Sequence, residues 1–150
     1  VVDRNNPIRL LRAIEVSLIT GIPYSVLRTN KPAKRSFSTV KLGLTLPREE
    51  LNERIDRRTD EMMKKGFLEE ARQLFPFRKL NALNTVGYKE LFDVLDNKCT
   101  LEQALVKIKT NTRRYAKRQM TWFKRDPEYQ WFHPNDLNGM ISYIDLKIKQ

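Results

Sequence analysis

The sequence predicts a mainly α-helical domain carrying two short strands, and three observations predict it. Apolar residues recur at helical spacing through most of the chain, one stretch switches to an alternation of period two, and the composition suits a single core. The chain has 150 residues, 40% hydrophobic and 31% charged, which fits one compact domain rather than a disordered tail or a membrane protein.

Asn5 or Asn6 before Pro7 offers an N-cap with proline in the first turn. Ile8, Leu11, Ile14, Leu18 and Ile19 then keep helical spacing until Gly21-Ile22-Pro23 stops the run. Tyr24 to Ser38 shows no periodicity and, with Pro32 amid Lys31, Lys34 and Arg35, predicts a basic connecting loop. Residues 39–46 place Val40, Leu42, Leu44 and Leu46 on one face of a strand that Pro47 ends. Arg48-Glu49-Glu50 opens a second helix through Leu51, Ile55, Met62 and Met63, with Gly66 as its stop. Phe67 to Phe75 predicts a short third helix closed by Pro76, and a fourth spans about Gly87 to Leu95. Thr100 and Gln103 form a capping box ahead of the longest helix, Leu101 to Arg125, which Asp126-Pro127 ends. A second strand is expected at 129–133, and Leu137 to Lys149 reads as a last helix.

Charge and composition narrow the function. Lys and Arg number 29 against 18 Asp and Glu, a net charge of +11, which points to a polyanionic partner, nucleic acid ahead of an anionic membrane. A solvated basic surface is the bland alternative. One cysteine, Cys99, and one histidine, His133, exclude an internal disulfide and a Cys/His zinc cluster. No apolar run approaches the roughly 20 residues a bilayer span needs, and the N-terminus lacks the order of a signal peptide. A cytoplasmic protein is therefore expected. The chain opens without Met in what reads as a helix entry, so a piece of something longer is expected too.

The most informative segment is Lys107 to Arg125, with eight basic residues and no acid. At about 100° per residue, Lys107, Arg114, Arg118 and Arg125 fall within roughly 40° of one another, flanked by Arg113, Lys117 and Lys124. Leu101, Ala104, Ile108, Thr112, Tyr115, Gln119 and Trp122 form the opposite stripe and are expected in the core, with stacking on a base the alternative for Tyr115 or Trp122 if exposed. An ordinary solvated face mixes signs so that neighbours pair; this ridge repels itself, which favours a phosphate-bearing ligand. Gln119, Thr121 and the guanidinium planes add donors for phosphates and bases.

Two further clusters are weaker. Arg9 and Arg12 share one face of the first helix. Arg54 and Arg58, four residues apart, suit a phosphate clamp, although ion pairs with Glu50, Asp56 or Asp60 are the commoner fate of such residues. Asn84-Thr85-Val86-Gly87-Tyr88-Lys89 sets a glycine at a helix start, where backbone N–H groups can meet an anion. No phosphate loop, dinucleotide fingerprint or recognisable carboxylate pair is present.

Five segments in order resemble the C-terminal half of bacterial tRNA dimethylallyltransferases (tRNA isopentenyltransferases). They are Asn6-Pro7-Ile8-Arg9-Leu10-Leu11-Arg12-Ala13-Ile14-Glu15-Val16; Leu42 to Arg58; Met62-Met63 before Gly66-Phe67-Leu68-Glu69-Glu70; Thr85-Val86-Gly87-Tyr88-Lys89-Glu90-Leu91; and Thr112-Arg113-Arg114-Tyr115-Ala116-Lys117-Arg118-Gln119-Met120-Thr121-Trp122-Phe123. The resemblance covers about residues 3 to 125, and the run from Ala116 to Trp122 is its most specific part.

That resemblance implies transfer of a dimethylallyl group from dimethylallyl diphosphate to N6 of adenosine 37 of tRNA, with Mg²⁺ at the diphosphate. It implies tRNA contacts from Ile8, Arg9, Leu10, Leu11 and Arg12, from Asn84 through Lys89, and from Arg114 and Lys117 through Arg125, with Gln119, Met120, Thr121, Trp122, Phe123 and Lys124 among them. It implies diphosphate contacts from Arg58, with Arg54 beside it. The family's phosphate loop and catalytic aspartate belong to its N-terminal half and match nothing here, so the catalytic base and the Mg²⁺ ligands are unassigned, and the chain is expected to be inactive alone. By the same resemblance, residues 1–22 end a helical tRNA-binding insertion, and 23–150 belong to an α/β P-loop-like core in an enzyme that acts as a monomer. Leu42, Leu44, Phe75 and Phe77 are expected to lose partners without that first half. The alternative is a free-standing basic helical RNA-binding module without catalysis.

Overall fold

The computed structural model describes residues 5–28 and 36–149, which fall into two compact units dividing between Thr39 and Val40. Lys31, Pro32, Lys34 and Arg35 of the expected basic loop lie outside the described residues.

The first unit contains α1 (Pro7–Thr20) and α2 (Tyr24–Leu27). Asn6 caps α1 by accepting the Arg9 N–H (3.2 Å), and Gly21 ends it in the left-handed region at φ 68°. The turn α2 departs from the expected irregular loop for a local reason. Ser17 donates its hydroxyl to the Ala13 carbonyl (2.9 Å) and accepts the Tyr24 N–H (3.0 Å), which gives a helix start behind Pro23 a partner outside its own backbone.

The second unit runs in the order β1 (Leu42–Leu44), α3 (Arg48–Lys64), α4 (Phe67–Leu74), a 3₁₀ turn (Phe75–Phe77), a second 3₁₀ turn (Asn81–Leu83), α5 (Tyr88–Leu95), α6 (Leu101–Phe123), β2 (Gln130–Phe132) and α7 (Leu137–Ile148). The two strands are parallel, in the register Leu42 to Gln130, Gly43 to Trp131 and Leu44 to Phe132. A parallel pair needs a crossover, and here the whole helical body from α3 to α6 is that crossover.

Both strands are shorter than expected, and the apolar alternation of β1 does not mark its covered face. Gly43 is the buried residue, with the Trp131 ring so close that a Cβ would lie 2.5 Å from it, whereas Leu44 is 56% exposed. Phe77 is likewise exposed. Phe75, expected to lack a partner, instead meets Phe92 edge to face at 5.7 Å.

The core is built from Phe67, Ala71, Leu91, Phe92 and Ile108, where α4, α5 and α6 meet. Leu91 is fully buried, a placement that contributes about 1.5–3 kcal/mol. The capping box at the start of α6 forms as expected: the Thr100 hydroxyl accepts the Gln103 N–H (3.2 Å), and the Gln103 side chain accepts the Thr100 N–H (3.0 Å). Among the described residues no helix is long and apolar enough to cross a membrane.

Candidate functional site

A cavity of about 540 Å³ opens between α3, α6 and the turn that leads into α5. Leu51, Ile55, Met62, Phe67 and Ile108 give it an apolar wall, Thr85, Val86 and Gly87 close one side, and Arg54, Arg58 and Tyr115 complete the lining. Residues that the sequence suggested separately, an arginine pair and a glycine turn, are thus brought to one place.

The arginines are free because the neighbouring acids are occupied. Asp56 receives both oxygens' worth of contact from Arg113 Nη2 (2.5 and 2.6 Å), Asp60 holds Lys109 (2.7 Å), and Glu50 lies 3.4 Å from His133. Arg57 points along the helix toward Glu61 at 3.9 Å. Among the described residues this leaves the guanidinium groups of Arg54 and Arg58 without a carboxylate, on the helix face that lines the cavity. Two cations four residues apart on one apolar wall can take a multiply charged oxyanion.

Gly87 is required where it stands. Its φ is 107°, and a Cβ would lie 2.9 Å from Phe67 Cζ. One N–H of this helix start is taken, because Glu90 Oε2 accepts the Gly87 N–H at 2.7 Å. Tyr88 turns inward: its ring meets Phe67 edge to face at 5.3 Å, and its hydroxyl donates to Glu70. That hydrogen bond, with burial second, holds the Tyr88 phenol above its ordinary pKa. Asn84 and Lys89 line a separate concavity with Arg78 and Lys79.

The cationic ridge of α6 is divided. Lys109 and Arg113 are committed to α3, so Arg113 is a link between helices rather than part of the ridge. Lys107, Arg114, Lys117, Arg118, Lys124 and Arg125 are exposed and meet no carboxylate among the described residues. Lys117, Arg118, Thr121, Trp122 and Arg125 line a groove of about 320 Å³. Gln119 is exposed beside them and Met120 partly buried, while the Thr121 hydroxyl is spent on the Lys117 carbonyl (2.9 Å).

Tyr115 and Trp122 correct the expectation that they belong to the core, being 52% and 64% exposed. Helical spacing placed them on the apolar stripe, but the elements packed on α6 cover it only as far as Ile108 and Thr112. Trp122 instead stands edge to face on Phe123 (4.8 Å), which stands on Tyr129 (5.6 Å). Arg118 lies 5.9 Å from the Tyr115 ring, so a groove residue and a cavity residue adjoin.

Ile8, Arg9, Leu10, Leu11 and Arg12 are exposed on α1, in the first unit, and Arg12 pairs with Glu15 at 3.2 Å. A metal has no evident seat. Among the described residues no group of three or more His, Cys, Asp or Glu is placed to hold an ion, and Asp56 and Asp60 of α3 are engaged by cations. Among the described residues, therefore, no cluster forms a metal seat made of protein groups alone.

Sequence reasoning missed Glu90 and Asn111, whose side chains meet at 2.7 Å beside the glycine turn. A Glu three residues after the helix start was the available signal, obscured because glycine at the N-cap breaks the usual box pattern.

Comparison with known proteins agrees with this assembly. The family model described as IPP transferase matches residues 1–126. A tRNA dimethylallyltransferase 2 of Parabacteroides distasonis is 52% identical over 147 residues, which is 98% of this chain and 49% of that protein. The crystal structure of the full-length tRNA isopentenylpyrophosphate transferase of Bacillus halodurans is 37% identical, with a TM-score of 0.66 over 99% of this chain and 46% of that one. A eukaryotic dimethylallyltransferase, captured acting on tRNA, is 29% identical with a TM-score of 0.66 over 87% of this chain and 36% of its own. The chain thus spans about half the length of the curated relatives it matches. With a family match over most of its length and a fold shared with solved members, this chain belongs to the IPP transferase family.

Proposed function

We propose that this chain supplies the RNA-binding and diphosphate-binding parts of a cytoplasmic, monomeric tRNA-modifying prenyltransferase. The reaction is transfer of a dimethylallyl group from dimethylallyl diphosphate to N6 of adenosine 37. The observation that carries the reading is the pair Arg54 and Arg58, left without carboxylates beside an apolar wall. As the allylic C–O bond breaks, negative charge gathers on the departing diphosphate, and two guanidinium groups carried on one helix face offset it. The apolar wall suits the five-carbon group that stays behind.

The groove at Lys117, Arg118, Trp122 and Arg125 supports RNA as the acceptor, with phosphates on the cations and an unstacked base on the exposed indole. Ile8 to Arg12 on α1 and Asn84 to Lys89 are assigned to the same RNA. The nitrogen that attacks must lose a proton, and no group of this chain is assigned as its base. Mg²⁺ at the diphosphate would be held by the diphosphate itself and by groups not assigned among the described residues, so the chain alone is not expected to turn over.

The test is binding of an anticodon stem-loop containing the target adenosine, against a scrambled hairpin, across a salt series. Preference for the correct hairpin with a steep salt slope supports the reading. Absence of binding at low salt overturns it. Equal affinity for both hairpins favours a plain basic RNA-binding module.

A further inference from the structure

We propose that Glu90 is a positioning residue: its carboxylate pins the Thr85–Gly87 wall of the cavity to α6 and so fixes that wall relative to Arg54 and Arg58. The inference rests on the reading that this cavity takes substrate.

Glu90 is only 6% exposed, a burial that carboxylates rarely accept unless paired with a cation. Among the described residues it has no ion pair. Both oxygens go to neutral donors instead: Oε2 accepts the Gly87 N–H and Oε1 accepts the Asn111 side-chain amide, each at 2.7 Å. Asn111 lies in the middle of α6, one residue before the cavity-lining Thr112. The carboxylate is therefore a brace between the turn and the helix.

The turn needs such a brace. In an ordinary capping box the N-cap side chain returns a hydrogen bond and the arrangement is held from both sides. Here the N-cap is Gly87, which has no side chain, and Phe67 occupies the space a Cβ would fill. Its backbone, at φ 107° and ψ −67°, is held on the carbonyl side by the Leu91 N–H (3.0 Å), and Glu90 holds the N–H side at the point where the chain becomes cavity wall. Stability alone does not call for a buried carboxylate, since apolar residues of similar volume often serve as well or better.

The experiment compares three proteins as full 150-residue chains: the unaltered sequence, Glu90→Gln, and the pair Glu90→Met with Asn111→Leu. Gln can still accept from Gly87, and its amide can donate to Asn111 once that side chain turns over. The double change removes the brace together with the Asn111 amide it held, so that of the three groups only the Gly87 N–H loses its partner. Thermal unfolding, hydrogen exchange at the Gly87 amide and affinity for the anticodon stem-loop are read on each.

The expected result is a double variant that melts lower only by the loss of one buried N–H partner and stays folded at the assay temperature, yet exchanges the Gly87 amide about tenfold faster and binds the stem-loop about tenfold more weakly. Glu90→Gln stays within about threefold of the original on both counts. A merely structural role predicts instead that the folded fraction binds the stem-loop as tightly as the original. Unchanged Gly87 exchange in the double variant, or faster exchange with unchanged affinity, overturns the proposal. If the unaltered chain shows no preference for the stem-loop, the functional reading fails separately, and the Gly87 exchange alone decides whether Glu90 pins the wall.

Discussion

The two halves of α6 obey different rules. From Leu101 to Arg113 the helix buries Ala104 and Ile108 and gives Lys109 and Arg113 to the carboxylates of α3. Beyond Arg113 no residue of the helix is buried, and Arg114, Lys117 and Arg118 stand exposed without an acid among the described residues. One half meets the requirements of a folded protein, with apolar contacts inward and charges neutralised. The other keeps a self-repelling surface that folding does not explain. The contrast teaches where to look for function: not at the basic residues as a class, but at those the fold leaves uncompensated.

The largest expected effect lies on the structural side. Leu91→Ala, in the cluster that holds the first half of α6, is expected to lower stability by about 2–5 kcal/mol, read by denaturant unfolding. The variant's net charge is unchanged, so its remaining folded fraction should bind the stem-loop normally. A loss of affinity beyond the unfolded fraction would blur the division between the halves.

The arginines of α3 offer an internal control. Arg58→Ala is expected to weaken binding of pyrophosphate by about 1.5–3 kcal/mol, the worth of a charge-assisted contact. Arg57→Ala, one residue away and directed at Glu61, should leave it unchanged. Equal losses in both variants, measured by calorimetry, would mean that net charge rather than cavity geometry attracts the anion. On α6, Arg118→Ala should cost about 1–3 kcal/mol of stem-loop affinity and leave the melting temperature alone. An unchanged dissociation constant at fixed salt would remove Arg118 from the interface.

The sequence carried the helices well and the compensation of charge poorly, for one physical reason. Caps and periodicity are local, so Asn6, the Thr100–Gln103 box and the stop at Gly66 were legible from neighbours along the chain. Which face an element presents is local too, but whether anything covers that face is not, which is why spacing alone puts Tyr115 and Trp122 in the core. A helical projection likewise groups Arg113 with Arg114 and Arg118, since it cannot show that Asp56 on another helix lies within reach of only one of them. The resemblance supplied Arg54 and Arg58 with a role that spacing alone weighed against, ion pairs with nearby acids being the commoner fate. Only the placement of Arg113, Lys109 and His133 explains how that pair escapes the acids around it.

The smallest expected effect concerns the far end of α6, where Lys41, just before β1, reaches Asp126 and Glu128, both at 2.6 Å, in the segment that leads to β2. Its hydrogen bond to Asp126, with that to Glu128 second, raises the Lys41 pKa, and the same contact lowers that of Asp126. A lowered carboxyl contributes stability above its unfolded value of 3.8 and loses it as pH falls through the lower folded value. A raised ammonium contributes below its unfolded value of 10.5 and loses it as pH rises past that point toward the folded value. Lys41→Met should therefore lower the melting temperature by a constant small amount from about pH 5 to about pH 9, and the gap to the original protein should close below about pH 4. The groups are solvent-screened, so the gap should be modest. Stem-loop affinity at neutral pH should not change, because Lys41 joins the strands to the end of α6 and leaves Lys117 and Arg118 untouched. A gap that widens in acid would mean that Asp126 is stabilised by something other than Lys41. A loss of RNA affinity would mean that the uncompensated half of α6 depends on the sheet for its position.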